Sequence, residues 1–128
     1  MVREKIDKYV QYVVIIIAAA AIIREIVLPV RVTGNSMLPS YQAGDFLLVE
    51  RVSYRFRSPR TGEVVVFFAP PRGVLIKRVC KVRADDAVYV LGDNSEWSND
   101  SRSFGYVPRD YIIGRAIFIY FPRLERVK

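Results

Sequence analysis

A long apolar segment near the N-terminus divides the chain into two parts that must fold in different surroundings. Residues 9–23 read YVQYVVIIIAAAAII and carry no charge; Arg24 and Glu25 interrupt the run, which then resumes as far as Val30. Counted to Val30, the segment reaches the ~20 residues that a membrane-spanning helix needs, with the stem of Arg24 reaching towards the interface. We therefore expect residues 1–30 to form one N-terminal transmembrane helix, an uncleaved membrane anchor.

Two other interpretations of this segment stay open. A cleaved signal peptide also has a basic start and an apolar middle, but its small residues follow the apolar run, whereas the alanines at 18–21 lie inside it. A core helix of a soluble domain usually keeps a polar face, which residues 9–23 lack. Because Arg3, Lys5 and Lys8 precede the run, we expect a single-pass protein of the cytoplasmic membrane whose remaining chain lies on the extracytoplasmic side.

The rest of the chain, residues 31–128, alternates short apolar runs with turn residues. Clusters such as Gly34-Asn35 and Pro70-Pro71 separate the runs, and no long helical pattern follows residue 30. This pattern predicts a mainly β fold, a compact antiparallel β-barrel or sandwich-like domain. The expected strands are 30–33, 46–51, 63–68, 74–82, 88–91 and 112–121.

The charge and the shortage of metal-binding side chains argue against several functions. The net charge is +7, but the basic residues are scattered, so that a solvated face or an anionic membrane surface explains them better than nucleic acid does. The chain has no histidine and a single cysteine, Cys80, which rules out a disulfide within the chain and disfavours a transition-metal site. We expect no cofactor, no metal and no nucleic-acid partner.

The lack of histidine also restricts nucleophilic catalysis, because a serine needs a base to take its proton. Ser36 lies in a turn-like stretch, and Lys77 lies in a predicted strand whose alternation places Leu75, Lys77 and Val79 on one face. Burial among apolar side chains lowers the pKa of a lysine and keeps its amine neutral. Taken singly, Ser36 is also an ordinary turn residue and Lys77 an edge-strand lysine that reaches water. Together they form a candidate serine–lysine pair.

A polar loop from Gly92 to Gly105 is the third notable segment. Asp100 and Arg102 are spaced to form a local ion pair, and the hydroxyl and amide groups of the loop can bind backbone groups and fix its shape. A surface loop with ordinary turn chemistry has the same composition. Such a loop can also hold a lysine amine in position.

Taken in order, these motifs resemble the type I signal peptidases, and the resemblance runs from about Ile22 to Pro122. The loop motif is long enough to be specific, whereas the serine motif alone is not. The matching residues are Val32-x-Gly34-x-Ser36-Met37-x-Pro39, Gly44-Asp45-x-x-x-Val49, Lys77-Arg78-Val79, Gly92-Asp93-Asn94-x-x-x-Ser98-x-Asp100-Ser101-Arg102-x-x-Gly105, and Val107-Pro108 through Ile113-Gly114-Arg115-Ala116.

The resemblance implies a membrane-anchored serine endopeptidase, a short form of the Ser–Lys leader peptidases. Its substrates would be translocated precursor proteins, from which it removes signal peptides after small residues through an acyl-enzyme. Ser36 would be the nucleophile, with its backbone N–H as an oxyanion donor, and Lys77 the general base. The supporting residues implied are Ser98, which orients the lysine amine, the structural ion pair of Asp100 and Arg102, and the structural carboxylates Asp45 and Asp93.

Two departures from the family pattern affect these expectations. Gly34 replaces a serine that in some members helps to stabilise the oxyanion, so that backbone N–H groups remain as the donors. The Gly-x-Pro-Gly-Asp stretch that commonly follows the lysine motif is missing, and we expect Asp85-Asp86 to form a tight turn in its place. Residues 31–128 are therefore expected to form the peptidase domain without the larger inserted subdomain of longer members.

Two other functions share part of this pattern. The autoproteolytic repressors that use a Ser–Lys pair have a similar serine motif, but they are cytosolic and carry a DNA-binding domain before the catalytic part, where this chain has an apolar segment. A membrane-tethered binding module that has lost activity would keep the fold without needing Ser36, Lys77 and Ser98 together.

Overall fold

The computed structural model describes residues 1–128, apart from the side chain of Trp97. Helix α1 comprises Val2–Ile26, and each of its residues is exposed. At 1.5 Å per residue its 25 residues extend for about 38 Å, more than the ~30 Å of a bilayer's hydrocarbon core. By length and composition, α1 can therefore cross a membrane.

The helix ends earlier than the apolar segment does. Val27 is extended, with φ −127° and ψ 148°, and its N–H donates to the Ile23 carbonyl to close the last turn. Pro29 contributes to this ending, because a proline disfavours helical backbone at the residue before it. Residues 27–30, which we counted with the anchor, therefore form the beginning of the first strand.

One antiparallel sheet of seven strands follows, as expected of a mainly β chain. In spatial order the strands are β1, β2, β6, β3, β4 and β5, and β7 pairs with β6. The short strand β7 was not predicted, and the helical segments after residue 30 are brief, the longest being α2 at Ser101–Phe104. The strands are β1 Val27–Arg31, β2 Phe46–Glu50, β3 Val64–Ala69, β4 Gly73–Val82, β5 Val88–Leu91, β6 Ile112–Phe121 and β7 Glu125–Arg126.

Strand β3 is covered on both faces. Val64 and Val66 pack into a cluster with apolar side chains of β2, β6 and the segment 32–41, whereas Val65 and Phe67 pack into a second cluster with β4 and β5. A strand that is buried on both faces needs apolar residues at every position, which explains the continuous run of Val64–Phe67. The neighbouring strand β4 is thereby placed against the core.

Two backbone edges meet beside the sheet. Residues 73–77 of β4 pair with β3 on one side. Their other side pairs with no strand of the described residues, because β5 pairs only with the later residues 78–82. Strand β1 is the first strand of the sheet and pairs with β2. A groove of about 330 Å³ is lined by residues 30–34 and 74–77 together with Ser36 and Met37. The groove thus combines two strand edges with both members of the candidate pair.

The connection from β4 to β5 is short. It consists of residues 83–87, in which Asp86 adopts a left-handed conformation with φ 65°. Arg83 donates to both carboxylate oxygens of Asp85, at 2.8 and 2.7 Å. Asp85-Asp86 therefore forms a tight turn, as the sequence indicated.

Candidate active site

Lys77 is held inside the domain by its strand. It lies opposite Val65 in the β3–β4 ladder, and Leu75 and Val79 of its own strand belong to the same apolar cluster. The residue is only 3% exposed. Burial lowers the pKa of the Lys77 ammonium, and the negative charge of Asp100 opposes this effect in part. The environment therefore favours the neutral amine more than water would.

The Lys77 amine contacts the Ser36 hydroxyl. Nζ lies 2.8 Å from Ser36 Oγ and 3.1 Å from the Ile76 carbonyl oxygen, to which it donates. At 2.8 Å an ammonium donates to the hydroxyl, while a neutral amine accepts its proton. The fold thus brings together two residues that are 41 positions apart in sequence, in the geometry of a nucleophile and its base.

The Gly92–Asn94 segment holds the turn that carries Ser36. The Asn94 N–H donates to the Ser36 carbonyl at 2.8 Å, and the Asn94 side-chain amide donates to the Asn35 carbonyl at 3.1 Å. Gly92 packs between Ser36 and Ser98 so closely that a Cβ atom there would lie 2.6 Å from the Ser36 carbonyl oxygen and 2.5 Å from Ser98 Cβ. A glycine is therefore required for this approach.

Ser98 lies beside the dyad without a bond to it. Its Oγ is buried and has no hydrogen-bond partner among the residues that the structure describes. Lys77 Nζ donates to Ser36 and Ile76 instead. The orientation of the lysine amine by Ser98 stays a prediction.

Asp100 and Arg102 form an ion pair at the base of the loop. Arg102 donates through Nε and Nη2 to the carboxylate at 2.9 and 2.8 Å, and the Gly92 N–H donates to it at 3.1 Å. Asp100 is fully buried. Burial by itself raises the pKa of this carboxyl, but the hydrogen bonds from Arg102 and Gly92 outweigh it and hold the pKa well below its usual range. The carboxylate is thus a charged anchor for the Gly92 backbone.

Asp93 connects the loop to the opposite face of β4. Both of its oxygens accept from Arg78, each at 2.9 Å, and Oδ2 also accepts from Ser40 Oγ at 2.6 Å. Burial raises the pKa of Asp93, but the bonds from Arg78 and Ser40 outweigh it and lower the pKa overall. Strand alternation already places Arg78 on the face opposite Lys77, but no local pattern in the sequence indicates its partner Asp93.

Asp45 is bound by an arginine that no sequence pattern indicated. The carboxylate is 1% exposed and accepts from the Gln42 N–H and from Arg123 Nη2, each at 3.0 Å. Arg123 also donates to the Ser40 carbonyl at 3.2 Å. Arg123 and Asp45 are 78 positions apart, so that no local pattern could have paired them. The turn after Ser36 is thereby fixed at Ser40 from two sides.

The oxyanion donors expected near Ser36 are backbone groups. Among the hydrogen bonds of the described residues, none uses the Ser36 N–H, which leaves it as a donor for a ligand. Gly34 has open space where a side chain would begin, with nothing within 4 Å of its ideal Cβ position. The site therefore contains a serine hydroxyl, a buried lysine amine in contact with it, and a backbone N–H without a partner among the described residues.

Comparisons with known proteins give matches over most of the chain. A family model described as signal peptidase, peptidase S26, matches residues 6–85 and 80–121. A probable signal peptidase I-1 of Synechocystis is 32% identical, over 73% of this chain and 71% of that protein. A mitochondrial ATP-independent inner membrane protease subunit 1b of Arabidopsis thaliana is 34% identical, over 70% and 67%. A probable chloroplastic thylakoidal processing peptidase 2 of the same plant is 33% identical over 73% of this chain, which spans only 38% of its length.

Proposed function

Because the chain belongs to the peptidase S26 family of signal peptidases, which are serine-type hydrolases, we propose that it cleaves signal peptides from translocated precursor proteins with a Ser36–Lys77 dyad. The observation that carries this proposal is the 2.8 Å distance between Ser36 Oγ and a lysine amine that is almost completely buried. A serine becomes a nucleophile when a base lies within hydrogen-bond reach, and Lys77 meets that condition.

Lys77 acts in its neutral form. The lowered pKa of its ammonium increases the fraction of free amine near neutral pH, and the same burial keeps water from competing for the amine. The chain has no histidine that could replace it. Asp100 limits the lowering of the pKa through its charge, and Arg102 offsets that charge by pairing with it. The ion pair thus helps to keep the lysine a usable base.

The reaction proceeds through an acyl-enzyme. Lys77 Nζ takes the Ser36 proton as Oγ attacks the scissile carbonyl, and the Ser36 N–H donates to the oxyanion that forms. The resulting ammonium gives its proton to the leaving amine, which breaks the peptide bond. Lys77 then takes a proton from water, the hydroxide attacks the ester, and Ser36 regains its proton as the new carboxyl group leaves. Ser98 orients the lysine amine during these proton transfers.

The substrate binds as an extended strand in the groove beside the dyad. The edges of residues 30–34 and 74–77 offer backbone groups to a peptide, which would add to the sheet by main-chain hydrogen bonds. Met37 and Leu75 contribute apolar side chains to the lining, which leaves little room for bulky substrate residues. This arrangement supports cleavage after small residues.

Helix α1 supports a membrane location for this chemistry. We assign the protein to the cytoplasmic membrane as a single-pass protein with the sheet on the extracytoplasmic side, because basic residues precede the apolar run. A precursor whose own apolar segment lies in the same bilayer would then meet the groove at a high effective concentration. Relatives named as chloroplastic and mitochondrial proteins make the choice of membrane a point to test.

The test is cleavage of a precursor that carries a signal peptide, by the full chain in detergent or lipid. Wild type should cleave after a small residue, whereas Ser36→Ala and Lys77→Ala should lose nearly all activity while keeping the wild-type circular dichroism spectrum. Lys81→Ala is the matched control, since Lys81 is an exposed lysine of the same strand. Mass spectrometry of acid-quenched wild type should find the acyl group on Ser36.

Each alternative has a distinct outcome. Full activity of folded Lys77→Ala would refute the dyad while leaving the family membership intact. A folded wild type that cleaves no precursor in any lipid would instead indicate the inactive binding module.

A further inference from the structure

A second pocket lies on the sheet away from the dyad. It has a volume of about 370 Å³, and its lining includes three arginines and two isoleucines. The peptide chemistry proposed above uses none of these residues. The lining residues are Arg51, Tyr54, Arg55, Arg109, Asp110, Ile112 and Ile113.

Arg51 connects this pocket to the end of α1. Its N–H donates to the Ile26 carbonyl at 2.7 Å, and its Nη1 donates to the Arg24 carbonyl at 3.4 Å. Arg51 also lines an adjoining cleft that includes Ala21, Arg24 and Glu25 of the helix. If α1 crosses a bilayer, as proposed above, the pocket lies where the helix leaves it, at the depth of the lipid headgroups.

The charges of the pocket leave two guanidinium groups for a ligand. Arg109 is committed, because it donates to Asp86 at 2.6 Å and to the Tyr54 carbonyl. Among the described residues, neither Arg51 nor Arg55 forms an ion pair. Guanidinium groups bind phosphate oxygens in a bidentate manner, and they bind best where the partner is partly shielded from water.

We propose that this pocket binds the phosphate headgroup of an anionic phospholipid. The two available arginines would contact the phosphate, and the apolar atoms that Ile112 and Ile113 contribute to the lining would contact the glycerol. The acidic Asp110 disfavours a second negative charge on the headgroup, which makes a phosphodiester the fitting ligand. A bound lipid would fix the sheet domain at a defined orientation to the membrane, and with it the groove.

The test uses the full chain reconstituted in phosphatidylcholine vesicles that contain a trace of spin-labelled lipid. Electron paramagnetic resonance measures the fraction of labelled lipid that the protein immobilises, for phosphatidylglycerol and for phosphatidylcholine in parallel. We expect wild type to prefer phosphatidylglycerol, and each of Arg51→Gln and Arg55→Gln to reduce that preference by about fivefold, the effect of one arginine near an anionic surface. Arg60→Gln, at an exposed arginine outside the pocket, should leave it unchanged.

Three outcomes would overturn the proposal. Equal immobilisation of both lipids by wild type would mean that the protein does not select phosphatidylglycerol. An equal loss of the preference in Arg60→Gln would assign the preference to the general positive charge of the surface. Displacement of the labelled lipid by millimolar inorganic phosphate would indicate a site for free phosphate instead. Because immobilisation of lipid requires no cleavage, the result is independent of the peptidase assay; flotation of the chain with vesicles tests separately whether α1 is embedded.

Discussion

Replacement of Gly92 by alanine should damage the active site more than any other substitution of one methyl group. Gly92 lies between the two serines of the site, and its N–H is fixed by Asp100 at 3.1 Å. An added Cβ would lie 2.6 Å from the Ser36 carbonyl oxygen, 2.5 Å from Ser98 Cβ and still closer to Ser98 Oγ. Since such contacts are essentially never shorter than 3.0 Å, Ser36 and Ser98 must retreat by at least 0.4 and 0.5 Å, the differences from that limit.

The size of the effect follows from what holds Ser36 in place. Its carbonyl accepts from Asn94, and a retreat weakens that bond as it lengthens the 2.8 Å contact of the hydroxyl with Lys77. Overpacking of a well-packed site costs about 1–3 kcal/mol of stability. A displacement of ~1 Å at a reacting group can cost ~10²-fold in rate, so that about half that displacement predicts a loss of kcat of roughly tenfold or more.

The assay compares kcat for precursor cleavage and the free energy of unfolding in Gly92→Ala and Gly34→Ala. Gly34 is the matched control: it lies two residues before the nucleophile, and nothing lies within 4 Å of its ideal Cβ position. We expect Gly34→Ala to keep wild-type stability. A Gly92→Ala variant with wild-type kcat and stability would refute the reasoning, because it would show that Ser36 and Ser98 need not pack so closely against residue 92.

Three further predictions concern charged residues around the site. Lys77→Met should lose cleavage but be more stable than wild type at neutral pH. Burial holds the Lys77 pKa below 10.5, so that the unfolded wild-type chain binds more protons than the folded one between the two pKa values. The stability of wild type should therefore rise with pH through that window, which unfolding at a series of pH values measures. Asp100→Asn should lose about 2–3 kcal/mol of stability above pH ~4, because the charged hydrogen bonds to Arg102 are lost. The difference from wild type should shrink as the pH falls towards the lowered pKa of Asp100. Equal losses at all pH values in urea titrations would contradict this. Arg123→Gln should cost about 1–2 kcal/mol by leaving Asp45 buried without its cation, and an unchanged urea midpoint would show that the pair contributes nothing.

The sequence was sufficient for those features that depend on near neighbours. Alternation along β4 correctly placed Leu75 and Val79 on the face of Lys77, since the side-chain period of a strand is fixed. The ion pair of Asp100 and Arg102 spans two positions, which also makes it a local feature. The turn at residues 85–86 followed from the same kind of short-range chemistry.

Features that depend on distant parts of the chain could not be predicted in this way. The arginines that brace the turn carrying Ser36 come from elsewhere in the chain. Arg123 lies in the connection between β6 and β7, and Arg78 lies on the face of β4 that points away from Lys77. The end of α1 was misplaced for a different reason. Leu28 and Val30 are apolar because they pack against the core from β1, so that composition could not separate strand from helix. The composition of a segment indicates that its side chains avoid water, but not whether its backbone is helical or extended.

The two members of the dyad depend on different parts of the fold. Lys77 is positioned by the sheet, where Val65 and the two-sided burial of β3 set the environment of its amine and hence its pKa. Ser36 is positioned by hydrogen bonds and close packing to the Gly92–Asn94 segment, which act on distance and leave the burial of Lys77 unchanged. Changes to the turn and to its braces other than Asp100, whose charge also acts on the Lys77 pKa, should therefore lower kcat at every pH alike. Changes to the core beneath Lys77 should instead move the pH at which activity rises. A pH–rate profile can thus identify which of the two supports a given substitution has disturbed.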